Sequence, residues 1–347
     1  DSSSNNTLTD NIVYYGIKLS YSSNNTLTGN TANSNSKCGI DLRYSSNNTL
    51  TNNTANSNKW NGIFLGYSSN HNMLTNNTVN SNDGGGISLS SSSNNTLTDN
   101  IVSNNYNHYG IYLWSSSNNM LTGNTANSNN HYGIKLSYSS NNNLTSNTAN
   151  SNKWGGILLG YSSNHNMLTN NTANSNNYCG IYLSSSSNNN ISCNWVQNNT
   201  QNGFQLYDES IDNNISYNNI IENGNYNTTS GGWGWQFYIE QYQPVEAKHN
   251  YWGAGMNSST IDASIYDNEE GGWGEVVFYP FETEPVPCAP TPEESHTFTT
   301  TDAVIALQIA VGSRPPDPCW DVSGDGSVTS LDALMILQAA AGGIEID

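Results

Sequence analysis

The chain has 347 residues, enough for two or three domains, with 34% hydrophobic and only 10% charged residues. Its net charge of −19 is one-sided: residues 1–200 carry five acids and six bases, whereas residues 201–347 carry 22 acids and two bases. So acidic a surface excludes nucleic acid, whose phosphates demand Lys and Arg; it suits divalent cations, and no apolar run approaches the roughly 18 residues of a membrane span.

The chain opens inside a repeat at Asp1-Ser-Ser-Ser-Asn-Asn without a signal-peptide pattern, which reads as a processed or truncated start. Aligned on the aliphatic residue of an Asn-Asn-Thr-Leu-Thr phrase, ten copies of one unit follow: Leu8, Leu27, Leu50, Leu74, Leu97, Leu121, Leu144, Leu168, Ile191 and Ile215. After a first interval of 19, the spacings alternate between 23 and 24. A Gly-Ile-x-Leu phrase keeps the same beat from Ile17 to Ile181 and ends at Phe204. A tract rich in Asn, Ser and Thr passes for disorder by composition, but a strict period in this range marks a solenoid.

Each unit holds three short strand phrases, as in Thr49-Leu50-Thr51, Thr54-Ala55 and Gly62-Ile63-Phe64-Leu65. That is too short for two helices and fits one coil of three strands and three turns. The predicted fold is mainly β: a right-handed single-stranded parallel β-helix of about ten coils, stacked about 4.8 Å apart. Inside the tube Leu should stack on Leu, Ala or Val on Ala, and Ile on Ile. Asn30, Asn53, Asn77, Asn100, Asn124, Asn147, Asn171 and Asn194 should form a hydrogen-bonded corner ladder. Asn also tolerates the left-handed backbone that sharp corners need.

These repeats resemble the parallel β-helix repeat family of prokaryotic surface proteins, described as carbohydrate-binding and sugar-hydrolase domains. The resemblance implies a secreted or cell-surface protein that meets polysaccharide or cell-surface glycan. Sequons such as Asn24, Asn47 and Asn94 make it a candidate glycoprotein, although the repeat generates them automatically.

Catalysis on such a rod needs paired carboxylates on one outer face. Asp1, Asp10, Asp41, Asp83 and Asp99 supply no matched pair in adjacent coils, so no catalytic residue is assigned and the balance leans away from an enzyme. A pair would have to come from Asp208, Glu209, Asp212 and Glu222, which read as a solvated acidic end. Aromatics just before each Gly-Ile suggest a stripe that could bind the C–H faces of a linear sugar polymer. The glycan-binding candidates are Tyr15, Trp60, Tyr109, Tyr132, Trp154 and Tyr178; mutual stacking that shields the corner is the structural alternative. His71 and His165 recur in near-duplicate segments 94 residues apart and read as turn residues. Cys38, Cys179 and Cys193 read as free or buried thiols.

Residues of about 225–285 break the beat with Trp233, Trp235, Trp252 and Trp273 and read as an aromatic-rich cap that covers the end of the tube, with a sugar platform built from the same four rings as the alternative. The β-helix with its cap is assigned to 1–285, a Pro-rich linker to 286–295, and a small α-helical domain to 296–347. There, Asp302-Ala-Val-Ile and Asp332-Ala-Leu-Met open two helical patterns, each stopped by Gly. Between them lies a twelve-residue calcium-loop pattern: Asp321, Ser323, Asp325, Ser327, Thr329 and Asp332 stand at positions 1, 3, 5, 7, 9 and 12, with Gly326 at the turn. Asp at position 12 and the tandem arrangement resemble a dockerin, which implies Ca²⁺ and a cohesin-like partner. The first half lacks the calcium core, so a second site should be weak or absent. Cys288 and Cys319 bracket that half and form the candidate disulfide.

Three functions follow. The first is a surface protein that binds or displays on glycans and docks through calcium. The second is a self-assembling structural component, in which the β-helix edge meets the C-terminal module of a neighbouring subunit in a homo-oligomer. The third is a polysaccharide lyase or glycoside hydrolase.

Overall fold

In the computed structural model, which describes residues 2–224, 226–227, 232–288, 300–313, 320, 322 and 328–340, the period becomes two long parallel sheets. The narrow sheet has ten strands, from Thr7–Thr9 to Asn214–Ile215; the wide sheet has eleven, from Ile17–Ser20 to Ile265–Tyr266. Register follows the repeat: Leu8 pairs with Leu27, Leu27 with Leu50, and Ile191 with Ile215. Strand alternation turns these residues inward, and from Leu27 onward they are fully buried. Each such Leu or Ile contributes about 1.5–3 kcal/mol by leaving water. The second phrase is thinner than expected. Thr31, Thr54 and Thr78 make single-residue bridges, because two residues between corners leave no room for a longer strand.

The corner ladder forms as expected and two more accompany it. Asn53 Nδ2 donates to Asn77 Oδ1 at 3.0 Å and to Leu27 O at 2.9 Å, while its Oδ1 accepts from Asn30. Parallel ladders run from Asn6 to Asn213 and from Asn35 to Asn223. A buried amide is expensive unless paired; stacking one amide on the next satisfies both at once. The left-handed corner residue is not the ladder Asn. It is the residue before it, such as Asn52, Asn76, Asp99 or Ser146. The ladder side chain points inward, so the turn falls on its predecessor.

The cap plugs the tube. Phe204 stacks on Phe237 at 5.4 Å, and the buried Trp252 closes on Phe237 and Phe278. Trp233 lies outside the described side chains. By internal contacts the chain divides into Asp1–Pro285 and Val286–Asp347. In the second unit, helices Thr300–Ala310 and Ser330–Ala340 share a small core of Ala303, Ala306, Ile309, Trp320, Ala333 and Ile336.

Candidate functional site

The proposed aromatic stripe divides into two rows. Trp60, Trp154 and Tyr178 stand two residues before the Gly of the wide-sheet phrase, whereas Tyr15, Tyr109 and Tyr132 stand one before it. Both rows lie in the corner before the strand begins and touch each other, Tyr132 meeting Trp154 at 6.2 Å and Tyr109 meeting His131 at 5.6 Å, but they differ in exposure. Trp60 and Trp154 are 50% exposed, and Tyr15 is exposed at the first coil; Tyr132 is only 4% exposed. Coil four interrupts both rows with Gly84 and Gly85. Tyr132 therefore offers no ring face to a polymer. It lies over Gly155, where an added Cβ would meet its ring at 2.6 Å, and packs with Leu158 and Cys179. Burial pushes both the Tyr132 phenol and the Cys179 thiol up. Cys38 and Cys179 are free and buried, as expected. Cys193 is instead disulfide-bonded, which corrects the expectation of a thiol there.

Beside this cluster sits one cation. Lys135 Nζ donates to Tyr109 Oη at 2.8 Å and lies over the rings of Tyr109 and Tyr112 at 4.5 and 5.6 Å. Burial lowers its pKa.

A second, polar site was mostly missed by sequence reasoning; of the six glycan-binding candidates it contains Tyr178 alone. In the last coils of the wide sheet, the inward row is Ile181, Phe204, Phe237 and Ile265, while the outward rows are Tyr182–Gln205–Tyr238–Tyr266 and Ser184–Tyr207–Glu240. Of these outward residues, Gln205, Tyr207 and Tyr238 join Tyr178, Gln201, Asn202, Gly234 and Trp235 in lining a cleft of about 370 Å³. Gln205 Nε2 donates to Tyr178 Oη at 2.9 Å. The Tyr238 hydroxyl donates to Glu240, and Tyr207 hydrogen-bonds within the same group. Tyr238 stacks on Tyr266 at 4.5 Å, and Trp235 meets Tyr266 edge-on at 4.9 Å. Trp235 has a left-handed backbone because it precedes Gln236, whose side chain ends the third ladder by accepting from Asn223. A residue expected to cover the tube thus becomes a wall of the cleft.

Two features give this cleft chemical meaning. Burial raises the phenol pKa of Tyr178, Tyr182, Tyr207 and Tyr238, so all four remain hydrogen-bond donors at neutral pH. Two amide oxygens are also left over: Gln205 Oε1 and Asn202 Oδ1 are buried with no hydrogen-bond partner among the described residues. Each such orphan costs about 1–3 kcal/mol.

The four late carboxylates do not gather. Asp208 and Glu209 turn one corner, Asp212 another and Glu222 a third, each with a left-handed backbone. The carboxylate nearest the cleft is Glu240, which accepts from the Tyr238 hydroxyl but does not itself line the cleft. In the second unit Asp321, Ser323, Asp325, Ser327 and Cys319 lie outside the described residues, so the calcium loop and the Cys288–Cys319 pair do too. Thr329 and Asp332 are described: Asp332 Oδ2 accepts from Thr329 N at 2.7 Å and from its Oγ1 at 3.0 Å, the pattern of a helix-capping box.

Among solved structures, the chain is similar to the A-module of the Azotobacter vinelandii mannuronan C-5 epimerase AlgE6, at 15% identity and a TM-score of 0.60, covering 74% of this chain and 76% of that one. A double mutant of the periplasmic alginate epimerase AlgG matches at 14% identity and a TM-score of 0.52, covering 81% and 69%. The AlgE4 A-module of Azotobacter vinelandii gives 19% identity and a TM-score of 0.48, and the chain spans 57% of its length. At these identities the likeness concerns the β-helix alone. No curated protein matches. No helix among the described residues is long and apolar enough to cross a membrane. One family model covers residues 1–125 and 102–269; its description locates its members in the periplasm, consistent with the extracellular expectation. On that match the chain belongs to the family described as periplasmic copper-binding protein (NosD).

Proposed function

We propose that the protein is a glycan-binding β-helix working outside the cytoplasm, with the tyrosine-lined cleft of the wide sheet as its binding site. One observation carries this reading: a concave site lined by the rings of Tyr178, Tyr207, Trp235 and Tyr238 together with two buried amide oxygens that have no partner among the described residues. Aromatic faces take the C–H surfaces of sugars, and convergent polar groups fix orientation. The structural relatives named as epimerases of alginate and mannuronan agree with a saccharide ligand in kind, without fixing its charge. The test is calorimetry of the full chain against a saccharide panel, repeated with Tyr238→Ala. Retained binding in that variant would move the site elsewhere.

The family description raises copper. Copper takes thiolate, thioether or imidazole donors. Among the described residues no group of three or more His, Cys, Asp or Glu converges. Burial holds the Cys38 thiol protonated, its pKa pushed up to about 11. Met73, Met120 and Met167 share one row but alternate with Thr96 and Asn143. They therefore stand two strands apart, about 9.6 Å, too far to share an ion. The described donor set does not fit a copper centre, and no step is routed through one.

For the C-terminal unit, the proposal remains a dockerin-like module that binds Ca²⁺ through Asp321, Ser323, Asp325, Ser327, Thr329 and Asp332 and docks to a cohesin-like partner. The family match ends at residue 269 and does not reach it. Support comes from the sequence spacing and the helix that Thr329 opens. Calcium titration of the full chain should give one site that Asp325→Ala abolishes; no heat with the unaltered chain would refute it.

A further inference from the structure

We infer that the cleft selects neutral, hydroxyl-rich saccharide and rejects uronate polymers. The inference rests on the glycan-binding reading and goes on to name the ligand class.

The two orphaned oxygens are acceptors that want a donor from the ligand. Gln205 is 1% exposed and Asn202 is 5% exposed, and both line the cleft. Gln205 is fixed by its own Nε2, which is engaged with Tyr178, so Oε1 is left as the acceptor. A carbonyl oxygen buried without a donor favours a ligand that brings O–H or N–H groups. Sugar hydroxyls are such donors; a uronate residue keeps its ring hydroxyls but has a carboxylate, which donates nothing, in place of the C6 hydroxyl.

Charge points the same way. The described lining residues include no Lys or Arg. Glu240 stands beside Tyr238 and Tyr207, and Asp208 is held at the edge by Ser184 Oγ at 3.0 Å. Along the outward row, the register runs Lys135, Leu158, Tyr182, Gln205. The cation on that row is thus three strands from Gln205, about 14 Å by the strand spacing. That exceeds the screening length of about 8–10 Å at ordinary ionic strength. A uronate in the cleft would meet one carboxylate and have no cation to pair with.

The remaining donors suit a neutral sugar as well. Each protonated phenol can give a hydrogen bond to a hydroxyl and take one back, while Trp235 and the stacked Tyr238–Tyr266 pair offer apolar ring surface.

The experiment is calorimetry of the full chain against cellohexaose, mannohexaose and galactohexaose, set beside hexaguluronate and hexagalacturonate at matched salt. Two variants are read in parallel, Gln205→Met and Tyr178→Phe, with circular dichroism and thermal unfolding to verify the fold. The expected result is binding of at least one neutral hexasaccharide and none of the uronates. Tyr178→Phe, which frees the Gln205 amide from its anchor, should weaken binding several-fold even if Gln205→Met fails to fold; Gln205→Met should weaken it roughly ten-fold, the size of one lost hydrogen bond. Uronate binding that Tyr178→Phe weakens would overturn the selectivity while leaving the glycan reading intact. Neutral binding indifferent to both variants would remove the cleft as its site. No binding of either class would overturn the glycan reading itself.

Discussion

Two groups of tyrosines stand on the same sheet, built by the same repeat, and have opposite characters. Around Tyr132 the rings are packed against Leu158, Cys179 and the bare backbone of Gly155. Around Tyr178, Gln205, Tyr207 and Tyr238 the rings surround open volume, and two amide oxygens stay unpaired. Composition scarcely separates them. The difference lies in closure: the first cluster fills its own space, and the second leaves a hydrogen-bonding deficit that only another molecule can meet. On a solenoid, an aromatic row is therefore weak evidence of a ligand, whereas an aromatic row over unmatched acceptors is stronger evidence.

The comparison assumes a scaffold indifferent to what its outer face carries. Asn152 lies in the third ladder at the level of the closed cluster, and Asn199 in the same ladder at the level of the cleft. Replacing either by Ala strands a buried neighbour on each side and should cost about 2–4 kcal/mol. Equal losses in chemical denaturation would support a common scaffold; a clearly cheaper Asn199→Ala would show that the cleft end is built differently. Next in size, Gly155→Ala drives a methyl group into the Tyr132 ring and the Cys179 carbonyl, at 2.6 and 2.9 Å. It should destabilise the rod by about 1–3 kcal/mol and leave saccharide binding unchanged, which would separate the two clusters functionally.

Alkali should probe both at once. The folded phenol pKa of Tyr132, Tyr178, Tyr182, Tyr207 and Tyr238 lies above the ordinary value of 10.0. Above pH 10 the unfolded chain therefore releases protons that the folded chain keeps, and stability present below that pH is lost as pH rises. Buried Tyr132 alone removes up to about 1.4 kcal/mol per pH unit. Lys135 acts in the opposite sense: its folded pKa lies below the ordinary 10.5, so its own contribution rises with pH just under that value. One lysine is outnumbered, and the midpoint of unfolding should fall steeply above pH 10, with tyrosinate absorbance rising together with it. The smallest effect on stability is expected of Tyr178→Phe, about 0.5–1.5 kcal/mol from one hydrogen bond, although its effect on saccharide binding is larger. Equal sensitivity of stability and binding would mean that the Tyr178–Gln205 contact merely props the fold.

Much of the architecture was legible because the period is strict. Leu27 to Ile215 could be read as one inward stack, and Asn30 to Asn194 as one ladder, since each recurs at the coil length. The stripe failed over a single residue: Trp154 and Tyr132 both precede a Gly-Ile phrase and their rings touch, but the one nearer the Gly packs over Gly155 and Leu158 while the other stays exposed. The cleft was illegible for another reason. Its residues come from three coils, and the last, Trp235 to Glu240, falls where the beat had stopped. Asn202 and Gln205 look like any other amides in a chain full of them; only their burial and lack of a donor sets them apart. Where Trp235 was read as a plug, the plug is Trp252.

The ladders have one more property. In all three, each side-chain amide donates toward the next coil, from Asn6 to Asn25, from Asn30 to Asn53, from Asn35 to Asn58, and so on along the rod. The amide dipoles add, so the solenoid has an electrical direction as well as a chain direction. At the far end the amides run out: Asn250 Nδ2 closes the Asn30 ladder on the carbonyls of Ile215 and Ala247, and Gln236 Nε2 passes the third ladder on to the carbonyl of Trp252. A rod so polarised extends only head to tail, because two like ends would set donor against donor or acceptor against acceptor. Any further coil, whether from this chain or another, must arrive facing the same way.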